Sequence, residues 1–470
     1  MNLTYKIKII LGACLILVAT SCEDYLDVNE NPNNPEDAPI SGLMTHVTYQ
    51  TAYNQYRLGD ITSYYVQYLA SPNPGGTLDT MEPVSHNVTW FNLYNVMTDL
   101  KVMMDKATES GANQYLGVAK IMMALNLAMT VDVWGNVPYT EAFDFISVTP
   151  VYDNDQVLYT TVFQLLDEGL ADLQKETTSS IGDDDFIFDG DIDQWTAFGN
   201  MLKARYMIHT KGTSGYSAAN VLAALDKGFT SNASNAKVDF FEQDFNPWAQ
   251  AAIDNANLNL DGWISTQLIE AMDGTSYPTV DPRMKLMIGT TDDDLFVGTE
   301  NGAGRGNAPE AGARSTLIEG QYYTTTTSPM LIATYAEQKF IEAEAAFDTD
   351  KTRSYNAYLD GITAHMQMLS VDAGEMAAYL ADPSVSMGEG AFTLADIFKE
   401  KYIALFLHPE SWNDARRFDY QYKDMTLPAN ISSAVNNQFI RRFAYPDNEK
   451  SRNGKNIPDV NLTDRIWWNQ

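Results

Sequence analysis

The chain has 470 residues, and its 62 acidic residues outnumber its 30 basic residues, which gives a formal net charge of −32. This balance argues strongly against binding to the phosphate backbone of nucleic acids and against charge-driven adhesion to anionic lipid. An acid-rich surface keeps a protein soluble, and it accepts neutral or cationic ligands more easily than anionic ones.

The first residues have the layout of an export signal. Lys6 and Lys8 precede an uncharged apolar run, residues 9–19. A membrane-spanning helix needs about 20 apolar residues, so this run is too short to remain as a span. It is typical of a signal peptide, which we place at residues 1–21.

Cys22 follows the small residues Ala19, Thr20 and Ser21. This order resembles a lipoprotein signal, in which the cysteine is acylated and becomes the new N-terminus, although Ala19 stands where such signals usually have Leu. We expect Cys22 to be the lipid anchor; the alternative is an incidental thiol after an ordinary signal peptide. The acidic, Asn- and Pro-rich segment 22–40 then predicts a tether.

The second cysteine of the chain, Cys14, lies inside the predicted signal peptide. If Cys22 is acylated, the mature chain has no free thiol. A disulfide, a thiolate metal site and a cysteine nucleophile are then all excluded.

After residue 40, apolar periodicity predicts helices in pairs of a size typical of tetratricopeptide-like hairpins. The first of these is a helix with a break, 41–70. The others are 90–109, 113–131, 154–177, 193–211, 329–348, 352–381 and 392–407. The helix 113–131 is apolar nearly all round, which predicts burial on most faces.

The Asn-, Asp-, Gly- and Thr-rich residues 230–328 predict short strands and long loops instead. We therefore expect a mainly α fold with one domain, 41–470. Its helical scaffold, 41–229 and 329–420, would support a loop-rich ligand-binding region at about 230–328.

Recognisable catalytic and metal motifs are missing from the sequence. The five histidines form no metal-binding spacing, and the GAGRG segment at 302–306 precedes no helix-forming run. Asp189, Asp191 and Asp193 have the spacing that opens an EF-hand loop, but the later ligand positions fail, so we expect Asp191 or Asp193 to cap a helix. We predict no catalytic residue, metal or cofactor.

Aromatic residues are the remaining candidates for ligand contacts. Sugar rings stack on flat aromatic faces, while nearby Asn, Asp and Gln side chains bind the hydroxyl groups. The sequence has 26 Tyr, 20 Phe and 8 Trp. For any single aromatic residue, packing is the commoner role. The aromatic residues that we select as candidate ligand contacts are Trp90, Trp248, Trp263, Tyr277, Phe296, Tyr322 and Tyr323.

Six stretches, taken in order, resemble the SusD/RagB family of outer-membrane nutrient-binding lipoproteins, and its SusD-like 2 branch in particular. They are VDVWGNVPYTEAF (131–143), FDGDIDQWTAFGNMLKARY (188–206), DPRMKLMI (281–288), YAEQKFIEAEAAF (335–347), KYIALFLHPESWNDARRFDY (401–420) and RRFAYPDNEKSRNGKN (441–456).

The resemblance implies a surface lipoprotein that binds an oligosaccharide and sits on a SusC-like, TonB-dependent β-barrel transporter in the outer membrane. Some members of the family serve peptide uptake, so a peptide-binding protein is one alternative. A lipid-anchored glycosidase and a lid that mainly gates the barrel are the others. No ligand-binding residue transfers by motif, because these stretches form scaffold.

Within that scaffold, Glu342, Glu344, Arg416 and Arg417 are expected to form structural ion pairs. The adjacent Trp467–Trp468 pair is expected to anchor the core.

Overall fold

The computed structural model describes residues 38–143, 146–258, 262–305 and 311–469. The predicted signal peptide, Cys22 and nearly all of the predicted tether lie outside these residues. Two successive groups of helices, separated by an irregular region with short strands, make up the described chain.

The first group forms hairpins in chain order. Its helices are α1 (Ile40–Tyr65), α2 (Asn87–Ser110), α3 (Asn113–Trp134), α4 (Asp155–Asp172), α5 (Ile192–His209) and α6 (Ala218–Leu225). Each packs against the next, so α2–α3 and α4–α5 are the expected helix pairs. The predicted break within 41–70 was wrong, since α1 is continuous to Tyr65.

The helix α3 forms the centre of this group. This helix is long and apolar enough to cross a membrane, but 94% of its most apolar 18-residue stretch is buried inside the protein. It is therefore a core helix, as its all-round apolar sequence predicts. At its end Gly135 adopts φ +76°, a conformation that favours glycine.

Close packing of α3 against α4 depends on two glycines. A Cβ atom added at Gly117 would lie 2.8 Å from the carbonyl oxygen of Gly169, and a Cβ added at Gly169 would lie 2.8 Å from that of Gly117. The two backbones therefore approach more closely than any larger residue would allow.

The irregular region holds more helix than its composition predicts. Its elements are β2 (Ala236–Val238), α7 (Pro247–Leu258), β3 (Trp263–Ile264), α8 (Thr266–Met272) and α9 (Met284–Met287). The strand β3 pairs antiparallel with β1 (Leu69–Ala70), and β2 pairs antiparallel with β4 (Met330–Ala333). Each sheet therefore joins one strand of the irregular region to a strand that adjoins a helix of the scaffold.

The second helical group follows β4. It comprises α10 (Tyr335–Ala346), α11 (Lys351–Met368), α12 (Ala373–Ala381), α13 (Leu394–Ala404), α14 (Glu410–Arg417) and α15 (Asp447–Arg452). The pair α10–α11 is a further hairpin. The sequence prediction merged β4 with α10, because a short strand beside a helix gives no separate periodic signal. It also merged the helices α11 and α12, which residues 369–372 separate.

A buried ion pair joins two helices of the second group, as expected for part of the predicted set. Arg417 on α14 forms a two-point pair with Glu344 on α10, at 2.9 and 2.6 Å. Arg416 differs, because it bonds to the backbone oxygens of Asp132 and Arg441 and lies 3.8 Å from the Trp412 ring.

The acidic stretch 181–195 organises itself around a helix start. The Asp191 side chain accepts hydrogen bonds from the backbone of Asp193 and Gln194 and so caps α5. Asp185 accepts 2.6 Å from the indole nitrogen of Trp195, and burial raises the pKa of its carboxyl group. The capping prediction is confirmed for Asp191.

Candidate functional site: an aromatic cleft beside the first helix

Three tyrosines stand along one face of α1. Tyr49, Tyr53 and Tyr56 are separated by four and then three residues, and side chains at this spacing share one side of a helix. All three are half-buried. Tyr49 and Tyr53 contact each other edge to face, with ring centroids 5.3 Å apart.

The segment 240–254 faces this row of tyrosines. Phe241 and Asp244 exchange two backbone hydrogen bonds, which close a tight turn with Glu242 and Gln243 at its tip. Asn246 then caps α7 through its side-chain oxygen and donates 2.9 Å to the carbonyl oxygen of Ser328. The wall opposite α1 is thus fixed at both its turn and its helix start.

Between α1 and this wall lies a cavity of about 690 Å³, which we call the aromatic cleft. That volume is within the range of small-molecule sites. The lining residues are Tyr53, Tyr56, Glu242, Gln243, Asp244, Phe245, Pro247, Gln250, Ala251 and Asp254.

Asp244 is the best-positioned acid of the aromatic cleft. The hydroxyl groups of Tyr49 and Tyr53 both donate to its carboxylate, the latter at 3.2 Å. Burial raises the pKa of Tyr53, and Arg57, 5.4 Å from the Tyr53 ring, acts in the opposite direction. The Tyr53 hydroxyl is therefore protonated at neutral pH and holds the carboxylate in place.

This combination of groups suits a polyhydroxylated ligand. Flat rings from Tyr53, Tyr56 and Phe245 offer apolar surface, while the carboxylates and the amides of Gln243 and Gln250 can bind hydroxyl groups. Because the wall is anchored before any ligand arrives, little ordering would oppose binding.

Four of the aromatic residues selected from the sequence are buried. Trp263 has no exposed surface, and Trp90, Trp248 and Tyr323 are each at most 8% exposed. Trp90 packs 5.0 Å from the Trp134 ring, and the Tyr323 hydroxyl lies 3.1 Å from His365. In this conformation their surfaces are covered by protein, which places these four side chains in packing roles.

Trp248 nevertheless packs against a residue that lines the aromatic cleft. Its ring meets Tyr56 edge to face at 4.8 Å, so it supports a lining residue without lining the cleft itself.

The other three selected residues are half-buried in the irregular region. Phe296 lines a separate cavity of about 430 Å³, together with Thr279 and Lys285. Tyr277 lies 5.3 Å from the Lys399 ammonium group, and Tyr322 packs against Tyr323. The structure therefore does not bring the seven selected aromatics together at one site.

The tyrosines of α1 were missed at the sequence level, although their spacing was a usable signal. A stripe of three tyrosines on one helical face is more polar than a packing stripe of Leu or Phe. That difference marks a face that is only half covered.

One buried group of side chains has the composition of a metal site. Asp132, His209 and Glu410 offer ligand atoms within 4.8 Å of one another. Their atoms are already engaged: His209 lies 2.9 Å from both the Tyr159 hydroxyl and Glu410, and Trp468 donates 2.9 Å to Asp132. This arrangement is a hydrogen-bonded network that joins α3, α5 and α14, and Trp468 anchors the core as expected.

The fold is that of SusD/RagB-type proteins. A SusD/RagB family protein from Bacteroides thetaiotaomicron matches with a TM-score of 0.76 at 23% identity, over 92% of this chain and 99% of that one. A chitin-binding SusD homologue from Flavobacterium johnsoniae matches at 0.77 and 20% identity, over 91% and 97%. A SusD homologue from Bacteroides uniformis matches at 0.76 and 18%, over 92% and 100%.

The chain belongs to the SusD-like 2 family, described as starch-binding and associating with the outer membrane, whose family model matches residues 32–446. We found no match among functionally curated proteins. The resemblance seen in the six sequence stretches is thereby confirmed, as is the mainly α, tetratricopeptide-like fold.

Proposed function

We propose that this protein is a non-catalytic, lipid-anchored receptor that binds an oligosaccharide at the outer face of the outer membrane. The aromatic cleft carries this proposal, because it places half-buried rings, carboxylates and amides in one cavity whose wall is anchored. Family membership supports the compartment and the glycan class.

In this proposal the sugar stacks on the aromatic residues of the cleft, and Asp244 accepts hydrogen bonds from its hydroxyl groups. The bound glycan is then passed to a SusC-like, TonB-dependent transporter. The resemblance to SusD/RagB proteins supports that partner, and the lipoprotein-like signal before Cys22 supports the anchor.

Affinity electrophoresis against a panel of neutral glycans tests the binding site. We expect Tyr56→Ala to weaken retardation by every glycan that retards the unmodified protein, because it removes a lining ring. Phe91→Ala is a matched control, since Phe91 is 62% exposed on α2 and lies outside the cleft. Equal retardation of the Tyr56→Ala variant and the unmodified protein would refute the proposed site.

Two further measurements test the remaining parts. Incubation with each bound glycan should release no shorter product, and product release would favour the glycosidase alternative.

In cells given a radiolabelled fatty acid, the protein should carry the label and a Cys22→Ala variant should not. A labelled variant would contradict the lipid anchor at Cys22.

Capture from detergent-solubilised outer membranes tests the partnership. The tagged protein should retain a large β-barrel protein of the TonB-dependent class. Recovery of the receptor alone under mild detergent would contradict a stable complex.

A further inference from the structure

The aromatic cleft carries an uncompensated negative charge. Three of its lining side chains are carboxylates, Glu242, Asp244 and Asp254, and none of its lining side chains is Lys or Arg. Arg57 lies nearby, but it contacts the Tyr53 ring and bonds to Asn54 at 3.0 Å, and it is not among the lining residues.

No cationic side chain among the described residues forms an ion pair with any of the three carboxylates. Asp244 accepts from tyrosine hydroxyls, and Asp254 accepts 2.8 Å from the Gln250 amide, so the partners of both are neutral. Glu242 is exposed at the tip of the turn. Among the described residues none of the three forms an ion pair, in contrast to the paired carboxylates of the scaffold.

Carboxylates beside tyrosine rings are a favourable environment for an ammonium group. The ring faces attract a cation, and a carboxylate accepts its hydrogen bonds. A simple cation would leave the apolar rings and the two amides of the cleft without a role. A sugar that carries an amine uses all three kinds of group.

We propose that the aromatic cleft selects oligosaccharides containing protonated amino sugars, of the glucosamine type, over neutral sugars of the same backbone. This inference rests on the proposed function, since it specifies the ligand of the same site. The strongly acidic protein as a whole would also attract such a ligand.

Calorimetric titration with two matched probes tests the selectivity. One probe is a glucosamine tetrasaccharide and the other is its fully N-acetylated, neutral counterpart, both at about pH 6, which lies below the ordinary pKa of a primary amine. We expect the glucosamine probe to bind about tenfold more tightly, the scale of one hydrogen bond between charged groups.

Two double variants test whether the carboxylates of the cleft cause the preference for the glucosamine probe. The Glu242→Gln/Asp254→Asn variant should lower the ratio between the two affinities, because two of the three carboxylates that line the cleft become neutral amides. The Glu109→Gln/Asp459→Asn variant removes the same charge from exposed positions outside the cleft and should keep the preference.

The outcomes separate this inference from the proposed function. Equal or tighter binding of the neutral probe by the unmodified protein would overturn the amino-sugar selectivity and leave glycan binding intact. Failure to bind either probe or any neutral glycan would overturn both. A tetralysine peptide that bound as tightly as the glucosamine probe would overturn the selection of a sugar.

Discussion

The helical scaffold and the aromatic cleft contain the same residue types, tyrosines and carboxylates, in opposite settings. In the scaffold, Glu344 is buried and bonded at two points to Arg417. In the cleft, Glu242 and Asp254 are exposed and have no cationic partner among the described residues. Residue type therefore does not distinguish scaffold from site in this protein, whereas the partners of each group do.

The largest expected effect comes from breaking the scaffold pair. The Arg417→Met variant keeps much of the side-chain volume but leaves Glu344 buried with Lys211, at 3.7 Å, as its remaining ion-pair partner among the described residues. Removing one member of a buried pair costs about 3–5 kcal/mol of unfolding free energy. Urea unfolding followed by circular dichroism measures this loss.

Lys101→Met is the matched control. Its partner Asp105 is 65% exposed, and an exposed pair of this kind contributes less than about 1 kcal/mol. Similar losses in the two variants would show that burial does not set the value of an ion pair here, and the comparison between scaffold and cleft would fail.

Acid should weaken the scaffold through the same pair. Burial raises the pKa of Glu344, but Arg417 and its hydrogen bonds outweigh this effect and lower the pKa to about 2. The contribution of Glu344 to stability is thus complete above its ordinary pKa of 4.5 and is lost as the pH falls from 4.5 towards 2.

Urea midpoints measured between about pH 6 and pH 2.5 check this effect. The midpoint of a Glu344→Gln variant should be lower at pH 6 and should fall less on acidification than that of the unmodified protein. Identical pH profiles would contradict the role of this carboxylate.

A smaller effect is expected where α3 meets α4. Gly169→Ala places a Cβ atom against the Gly117 carbonyl oxygen and should cost about 1–3 kcal/mol. Gly42→Ala, on an exposed part of α1 where a Cβ meets Pro39 at 3.5 Å, should be neutral or stabilising by up to about 1 kcal/mol. Thermal unfolding of both variants tests whether close backbone packing, rather than helix propensity, sets the difference.

The smallest expected effect is that of a substitution in the aromatic cleft. Tyr53→Phe removes one hydroxyl that holds Asp244 but keeps the ring, so glycan affinity should fall about fivefold, the scale of one hydrogen bond. The unfolding free energy should change little, because Asp244 keeps its bond from Tyr49. A large loss of stability with unchanged affinity would instead place Tyr53 in the scaffold.

Much of the fold was accessible from the sequence. The all-round apolar pattern of 113–131 predicted a buried helix, and most boundaries in the first helical group agree to within a few residues. The helices α7 and α8 were missed, because their caps, Asn246 and Ser265, lie in polar sequence that is also typical of loops.

The candidate site was less accessible. The aromatic cleft depends on a contact between α1 and the turn at 241–244, nearly two hundred residues apart, and no local pattern encodes that contact. Trp263 illustrates the converse problem, because a tryptophan in polar sequence resembles a ligand contact until its complete burial is known. The periodicity of Tyr49, Tyr53 and Tyr56 was visible, but their half-covered state was not.

The bond from Trp468 to Asp132 has a consequence for the order in which the molecule folds. It joins positions 336 residues apart, and contacts of such separation form late and slowly. Until the Trp468 indole packs in place, the buried carboxylates of α3 and α14 lack one of their hydrogen-bond donors. The first helical group should therefore complete its packing only when the C-terminal residues dock, and a Trp468→Phe variant should show a slower final phase of refolding.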